Sequence, residues 1–200
     1  MTLYSVKPAF QALLRPIMFW LAKRAVTANH VTLAALLLSV LTGLVLAIFP
    51  HYTLYWILPV VLFIRMALNA LDGMLARECR QQSRLGAVLN EFGDVISDVA
   101  LYLPFLLLPG SHPTLVLTML LCTVLSEFAG VLTQAIGGVR SYAGPMGKSD
   151  RAMVFGGWGI ALNLWPDVAV WSNMLWGLVT LLLIWTIINR CSSVLPGARA

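Results

Sequence analysis

Asn69-Ala70-Leu71-Asp72-Gly73-Met74-Leu75-Ala76-Arg77 is followed, after eight residues, by Gly86-Ala87-Val88-Leu89-Asn90-Glu91-Phe92-Gly93-Asp94, and Asp98 stands one four-residue step further on. Around these acids the chain is lipid-soluble: 60% of its 200 residues are hydrophobic and 10% are charged, with a mean hydropathy of +0.86. That composition excludes an ordinary water-soluble core and specifies an integral membrane protein. A charged side chain at the centre of a spanning helix costs about 2.5 to 3.5 kcal/mol, so Asp72, Asp94 and Asp98 unpaired would together cost roughly 8 to 10 kcal/mol. Partners or ligands must offset that cost.

Apolar stretches near the roughly 20 residues a bilayer requires occur at 31–49, 53–76, 87–108, 114–136, 152–164 with its flanks, and 168–188. The expected fold is therefore all-α and polytopic, with six transmembrane helices. Ahead of them Phe10, Leu13, Leu14, Ile17 and Leu21 recur at three- and four-residue steps, with Arg15, Lys23 and Arg24 on the remaining surface. This predicts an N-terminal amphipathic helix in the membrane interface, bent at Pro16. Thr27 or Asn29 is placed to cap the first span. Residues 1–28 thus read as an interfacial segment, 29–192 as the transmembrane domain and 193–200 as a short cytoplasmic tail. The basic N-terminal segment has no small-residue cleavage site after a short apolar stretch, so it does not read as a signal peptide.

Basic residues fall on alternate connections. Lys7, Arg15, Lys23 and Arg24 precede the first span; Arg77, Arg80 and Arg84, then Arg140, Lys148 and Arg151, and finally Arg190 and Arg199 lie at the same side, whereas 50–52, 109–113 and 165–167 contain none. By the positive-inside rule both termini are expected in the cytoplasm, and the membrane is read as a bacterial inner membrane. Topology and anionic headgroups account for the net charge of +5 without nucleic acid as a partner. Cys79, Cys122, Cys191, His30, His51 and His112 are scattered and lack metal-ligand spacing.

The short connection between the second and third spans makes them an antiparallel pair, so depths can be compared. With Arg77 and Gly86 level, Asp72 faces Asn90, Asn69 faces Asp94 and Arg65 faces Asp98, in layers roughly 7, 12 and 18 Å down at about 1.5 Å per residue. Each set shares one helical face. The deepest layer reads as a structural ion pair between Arg65 and Asp98. The upper layers offer Asp72, Asp94 and the amide oxygens of Asn69 and Asn90 with no basic partner at that depth, a set of hard oxygen donors suited to Mg²⁺ or Mn²⁺. Gly73, Ala76 and Gly86 remove bulk beside these groups, for helix packing or for a ligand. Arg77, at the membrane surface beside Asp72, can contact a phosphate.

These residues resemble the signature of the CDP-alcohol phosphatidyltransferase family (class I, integral membrane), D-x-x-D-G-x-x-A-R, eight or nine residues, then G-x-x-x-D-x-x-x-D, with asparagine at Asn69 and Asn90 in place of two aspartates. A register shifted to Asp94 and Asp98 would put Asn90 where the glycine belongs. The resemblance implies transfer of a phosphatidyl group from a CDP-alcohol such as CDP-diacylglycerol to an alcohol acceptor, phosphorylated or not, with release of CMP, by a homodimer among membrane lipids. It implies metal ligation by Asp72, Asp94, Asn69 and Asn90, with Asp94 as general base. Asp72, Gly73, Ala76, Arg77, Gly86, Asn29 and Thr32 would contact the nucleotide and phosphates, and Lys148, Arg151 and Arg140 the acceptor. The string Gly144-Pro145-Met146-Gly147-Lys148-Ser149 lacks the glycine spacing and the strand of a phosphate-binding P-loop. Glu127, within the fourth span, is read as a partner for Arg140 or Arg65. The two asparagines also motivate an alternative, a catalytically silent relative or a cation-binding, lipid-binding or transport protein.

Overall fold

The computed structural model describes the backbone of residues 3–195 and the side chains of residues 8–195. The side chain of Lys7, Arg199 and residues 196–200 of the expected tail lie outside that set. Within it are seven α-helices: α1 (Leu3–Lys23), α2 (Ala28–Ile48), α3 (Ile57–Glu78), α4 (Arg84–Tyr102), α5 (Pro113–Ala135), α6 (Lys148–Leu164) and α7 (Ser172–Ser192). Short 3-10 turns at Tyr52–Trp56, Leu103–Leu107 and Pro166–Trp171 precede α3, follow α4 and precede α7.

Among the described residues, four helical segments are long and apolar enough to cross a membrane: Ala28–Ile48, Tyr52–Glu78, Pro113–Ala135 and Pro166–Ser192. The expectation of six spans is met in length and apolarity at these four. In α4, 19 residues include Arg84, Glu91, Asp94 and Asp98, and α6 has only 17 residues, beginning with Lys148, Asp150 and Arg151. Charge in α4 and shortness in α6 set these two helices apart from the four. The outer surface is apolar, with Leu37, Leu41, Leu44 and Ile48 of α2, Leu121 and Phe128 of α5 and Leu181 and Trp185 of α7 exposed. Such a continuous apolar exterior suits hydrocarbon rather than water.

Local chemistry sets the helix ends. Thr27 caps α2: its Oγ1 accepts from the His30 backbone N–H at 3.3 Å while His30 Nδ1 accepts from the Thr27 N–H. Of the two capping candidates it is Thr27 that serves, and Asn29 turns toward α4. Ser83 caps α4 through a 2.9 Å bond from the Gly86 N–H. Asp150 accepts from the Gly147 N–H at 2.9 Å at the start of α6. Upstream of it Gly144 has φ +118°, and a Cβ there would fall 2.6 Å from Thr186 Cα, so the loop into α6 can lie against α7 only with glycine.

α1 contains Pro8 and Pro16 and lays Phe10, Leu14, Met18 and Leu21 against Val31 of α2 and Leu71, Met74 and Leu75 of α3. Arg15 on its outer side pairs with Glu78 at 3.1 Å, and Arg24 lies 4.2 Å over the Trp20 ring. The main core gathers Tyr55, Tyr102, Phe105, Phe155 and Trp176, with ring centroids 4.2 Å apart for Tyr102–Phe155 and 4.6 Å for Phe105–Trp176. Tyr102 follows Asp98 by one helical turn, so the polar stripe Asn90, Asp94, Asp98 ends on this aromatic floor.

Candidate active site

The polar stripes of α3 and α4 meet as layers. Asn69 Nδ2 donates to Asp94 Oδ1 at 3.0 Å, and Arg65 Nη1 donates to Asp98 Oδ1 at 2.5 Å. Arg65 Nη2 donates to the Asp94 carbonyl at 3.0 Å and lies 3.5 Å from Asp94 Oδ1. In the top layer Thr32, one turn into α2, donates from Oγ1 to Asp72 Oδ2 at 2.9 Å. Asp72, Asp94 and Asp98 are all buried. Asn90 is half-buried and is not a hydrogen-bond partner of Asp72 or Asp94.

One expectation fails here. Asp94 has a basic partner, because Lys148 at the first turn of α6 reaches its Oδ2. Depth along α3 and α4 could not reveal a side chain delivered from a third helix. Lys148 remains partly exposed, with 30% of its side chain accessible, so this contact stands at the mouth of the site.

Glycine sets the packing at this end. A Cβ on Gly86 would lie 2.7 Å from Asn29 Oδ1, so glycine lets the start of α4 close against the start of α2. The Ala28 N–H donates to Gln81 Oε1 at 2.8 Å, tying α2 to the α3–α4 connection. Arg77, exposed, folds its guanidinium over Gly73, where a Cβ would lie 3.2 Å from Nη1. Ala76 is half-buried beside them. Asn29, Thr32, Asp72, Gly73, Ala76, Arg77 and Gly86 therefore gather at one end of the α2–α3–α4 bundle.

Beside this layer lies an ionic network that sequence reading only partly found. Arg151, with no side-chain exposure, donates from Nη2 to Asp98 Oδ2 at 2.6 Å and to Glu127 Oε1 at 2.8 Å. Its Nη1 donates to Ser126 Oγ at 3.3 Å and to the Met146 carbonyl at 3.2 Å. Glu127 also receives Arg140 Nη2 at 3.4 Å and Arg190 Nη1 at 3.5 Å. Arg140 continues to Glu91, and Arg190 donates to the Ser126 carbonyl. Of the two partners considered for Glu127, Arg140 is present and Arg65 is instead bound to Asp98. Arg190, read from sequence only as a topology charge, is buried; its lone cationic side chain in the last turn of an apolar helix was the available signal.

The donor set fits a hard divalent cation. Among the described residues no group of three or more His, Cys, Asp or Glu side chains is assembled. The two signature carboxylates, Asp72 and Asp94, remain, and one or two carboxylates completed by water and substrate phosphates is the usual Mg²⁺ arrangement. Asp72 faces a neutral hydroxyl, so its negative charge is available.

Comparison with known proteins places the chain in one family. A CDP-alcohol phosphatidyltransferase family profile matches residues 25–188. The chain is 66% identical over 195 residues to the inner membrane protein YnbA of Escherichia coli (strain K12), covering 98% of this chain and 97% of that one. It is 31% identical over 188 residues to phosphatidylinositol phosphate synthase of Mycolicibacterium smegmatis, covering 88% and 83%. The crystal structure of the Mycobacterium tuberculosis phosphatidylinositol phosphate synthase with CDP-DAG bound matches with a TM-score of 0.73 at 25% identity, over 92% of this chain and 96% of that one. The same enzyme in complex with manganese and citrate has the same fold, with a TM-score of 0.74 at 24% identity over 92% and 91%.

Proposed function

The chain belongs to the CDP-alcohol phosphatidyltransferase family and is an enzyme of that class, and from this premise we propose that it makes a phospholipid from a CDP-linked lipid, such as CDP-diacylglycerol, and an alcohol acceptor. The observation that carries the reading is the pair of buried carboxylates, Asp72 and Asp94, on facing helices within the family-matched region. A divalent cation, Mg²⁺ or Mn²⁺, held by Asp72 and Asp94 with amide oxygens of Asn69 and Asn90, would supply charge neutralisation at the donor pyrophosphate and at the departing CMP.

The chain's own groups do the rest. Arg77 holds a donor phosphate or the cytidine end from above Gly73. Asn29 and Thr32, at the start of α2, orient the nucleotide beside Ala76 and Gly86. Lys148 leaves Asp94 when donor and acceptor enter, and a carboxylate oxygen of Asp94 takes the acceptor hydroxyl proton. The acceptor oxygen then bonds to the lipid-side phosphorus, the bond from that phosphorus to the bridging oxygen breaks, and CMP carries the electron pair away. Lys148 and Arg140 orient the acceptor at the mouth, with Arg151 fixed behind them. Arg65 and Asp98 hold α3 to α4 so that Asp94 keeps its position.

On this reading α1 lies in the cytoplasmic interface, α2 to α7 cross the bacterial inner membrane as six spans, and both termini are cytoplasmic. Charged α4 and short α6 are tolerated because their polar groups face the bundle interior. Residues 1–28, 29–192 and 193–200 then form the interfacial segment, the catalytic domain and the tail of a homodimer. Purified protein given CDP-diacylglycerol, Mg²⁺ or Mn²⁺ and a panel of polyols and their phosphates should release CMP and form a new phospholipid. No CMP with any acceptor would reject the assignment.

A further inference from the structure

Three arginines from three places in the chain converge on one carboxylate. Arg140 precedes α6, Arg151 lies in its first turn and Arg190 in the last turn of α7, and all three reach Glu127 at 3.4, 2.8 and 3.5 Å. Three guanidiniums turned toward one point make a good site for an anionic group. Here that point already holds an anion, on a side chain only 7% exposed. The network continues from Arg151 to Asp98, one helical turn from Asp94, and opens at Glu91, Arg140 and Lys148, whose side chains are 32%, 15% and 30% exposed. It therefore flanks the route by which an acceptor hydroxyl would approach Asp94.

The charges around this route balance without help. Five cations, Arg65, Arg140, Lys148, Arg151 and Arg190, stand with five carboxylates, Asp72, Glu91, Asp94, Asp98 and Glu127, while Arg77 lies exposed at the surface over Gly73. A divalent cation and the donor pyrophosphate would enter with opposite and similar charge, leaving that balance intact. A phosphomonoester on the acceptor would add a charge of about −1.5 to −2 beside the buried carboxylate of Glu127, against like-charge repulsion.

We propose that Glu127 is a specificity-determining residue whose carboxylate fills the anion position formed by Arg140, Arg151 and Arg190, so that the acceptor is an alcohol carrying no phosphate. This rests on the transferase reading and adds the class of acceptor to it. Glu91 and Lys148 at the opening then meet the hydroxyls of a neutral polyol.

Two measurements on the purified full-length protein test the proposal. In the first, CMP release is compared for matched acceptors, glycerol with glycerol phosphate and inositol with inositol phosphate. The wild type should favour the free polyol by about a hundredfold in kcat/KM, and Glu127→Gln should move that ratio toward the phosphate ester by a similar factor. Glu127→Asp keeps the charge and should keep the preference, whereas a purely structural role would move both variants alike. Wild-type preference for the phosphate ester, or an unchanged ratio in Glu127→Gln, overturns the proposal. The second measurement is titration with inorganic phosphate alone, followed by calorimetry. Binding by Glu127→Gln and none by the wild type is expected; equal binding by both overturns it. If no acceptor yields CMP, the transferase reading fails while the phosphate titration still decides the role of Glu127. If Glu127→Gln does not fold, the wild-type preference decides it.

Discussion

The carboxylate layer of α3 and α4 and the arginine network of α5 to α7 are both buried, yet their partners differ. Asp72 faces the neutral hydroxyl of Thr32, and Asp94 meets the amide of Asn69 and Arg65 through one oxygen and Lys148, a side chain 30% exposed, through the other. Arg151 is bound to Asp98, Glu127, Ser126 and the Met146 carbonyl and has no exposure at all. A buried charge enclosed by fixed opposite charges holds the bundle together, and a carboxylate with an oxygen on a neutral or exposed partner is available to a ligand. The difference divides the site into a working layer and a scaffold.

The strongest way to break that division is to treat the two layers alike. Asp72→Asn should lower kcat/KM for CMP release by about a thousandfold while leaving the thermal midpoint of the detergent-solubilised protein unchanged or raised, since no cation loses its partner. Arg151→Met should do the reverse in emphasis: about 3–5 kcal/mol of stability lost, read as a lower thermal midpoint, because Asp98 and Glu127 lose their shared guanidinium. If Arg151→Met unfolds no earlier than the wild type, the network is not scaffold. A smaller effect is expected at the replaced signature positions. Asn69→Asp with Asn90→Asp adds two carboxylates to the donor set and should tighten Mn²⁺ binding by about tenfold or more, measured by titration of the purified protein. Smallest is Ser126→Ala, which removes one hydroxyl from Arg151 Nη1 and should cost about 1 kcal/mol in thermal stability with little change in turnover.

Helical period made the carboxylate layer legible before any coordinates. Arg65, Asn69 and Asp72 repeat at helical steps, as do Asn90, Asp94 and Asp98, and a short connection fixes their relative depth, so Asn69–Asp94 and Arg65–Asp98 meet at the levels counted from the sequence. What period could not supply was contact between helices far apart in the chain. Lys148 reaches Asp94 across 54 residues, and Arg190 reaches Ser126 across 64; nothing local in α6 or α7 announces either partner. The apolar stretches read at 87–108 and 152–164 fall on α4 and α6, which carry Arg84, Glu91, Asp94 and Asp98 on one and Lys148, Asp150 and Arg151 on the other. Asn29 shows the same limit at smaller scale, since the sequence allowed it to cap α2 and only the position of Gly86 reveals that it faces α4.

The central claim is that Asp94 carries the reaction. The most direct test is CMP release by purified wild type and Asp94→Asn with CDP-diacylglycerol, Mn²⁺ and an acceptor that supports wild-type turnover. A loss of about a hundredfold to ten-thousandfold in the variant is predicted, and an Asp94→Asn protein with wild-type turnover would contradict it.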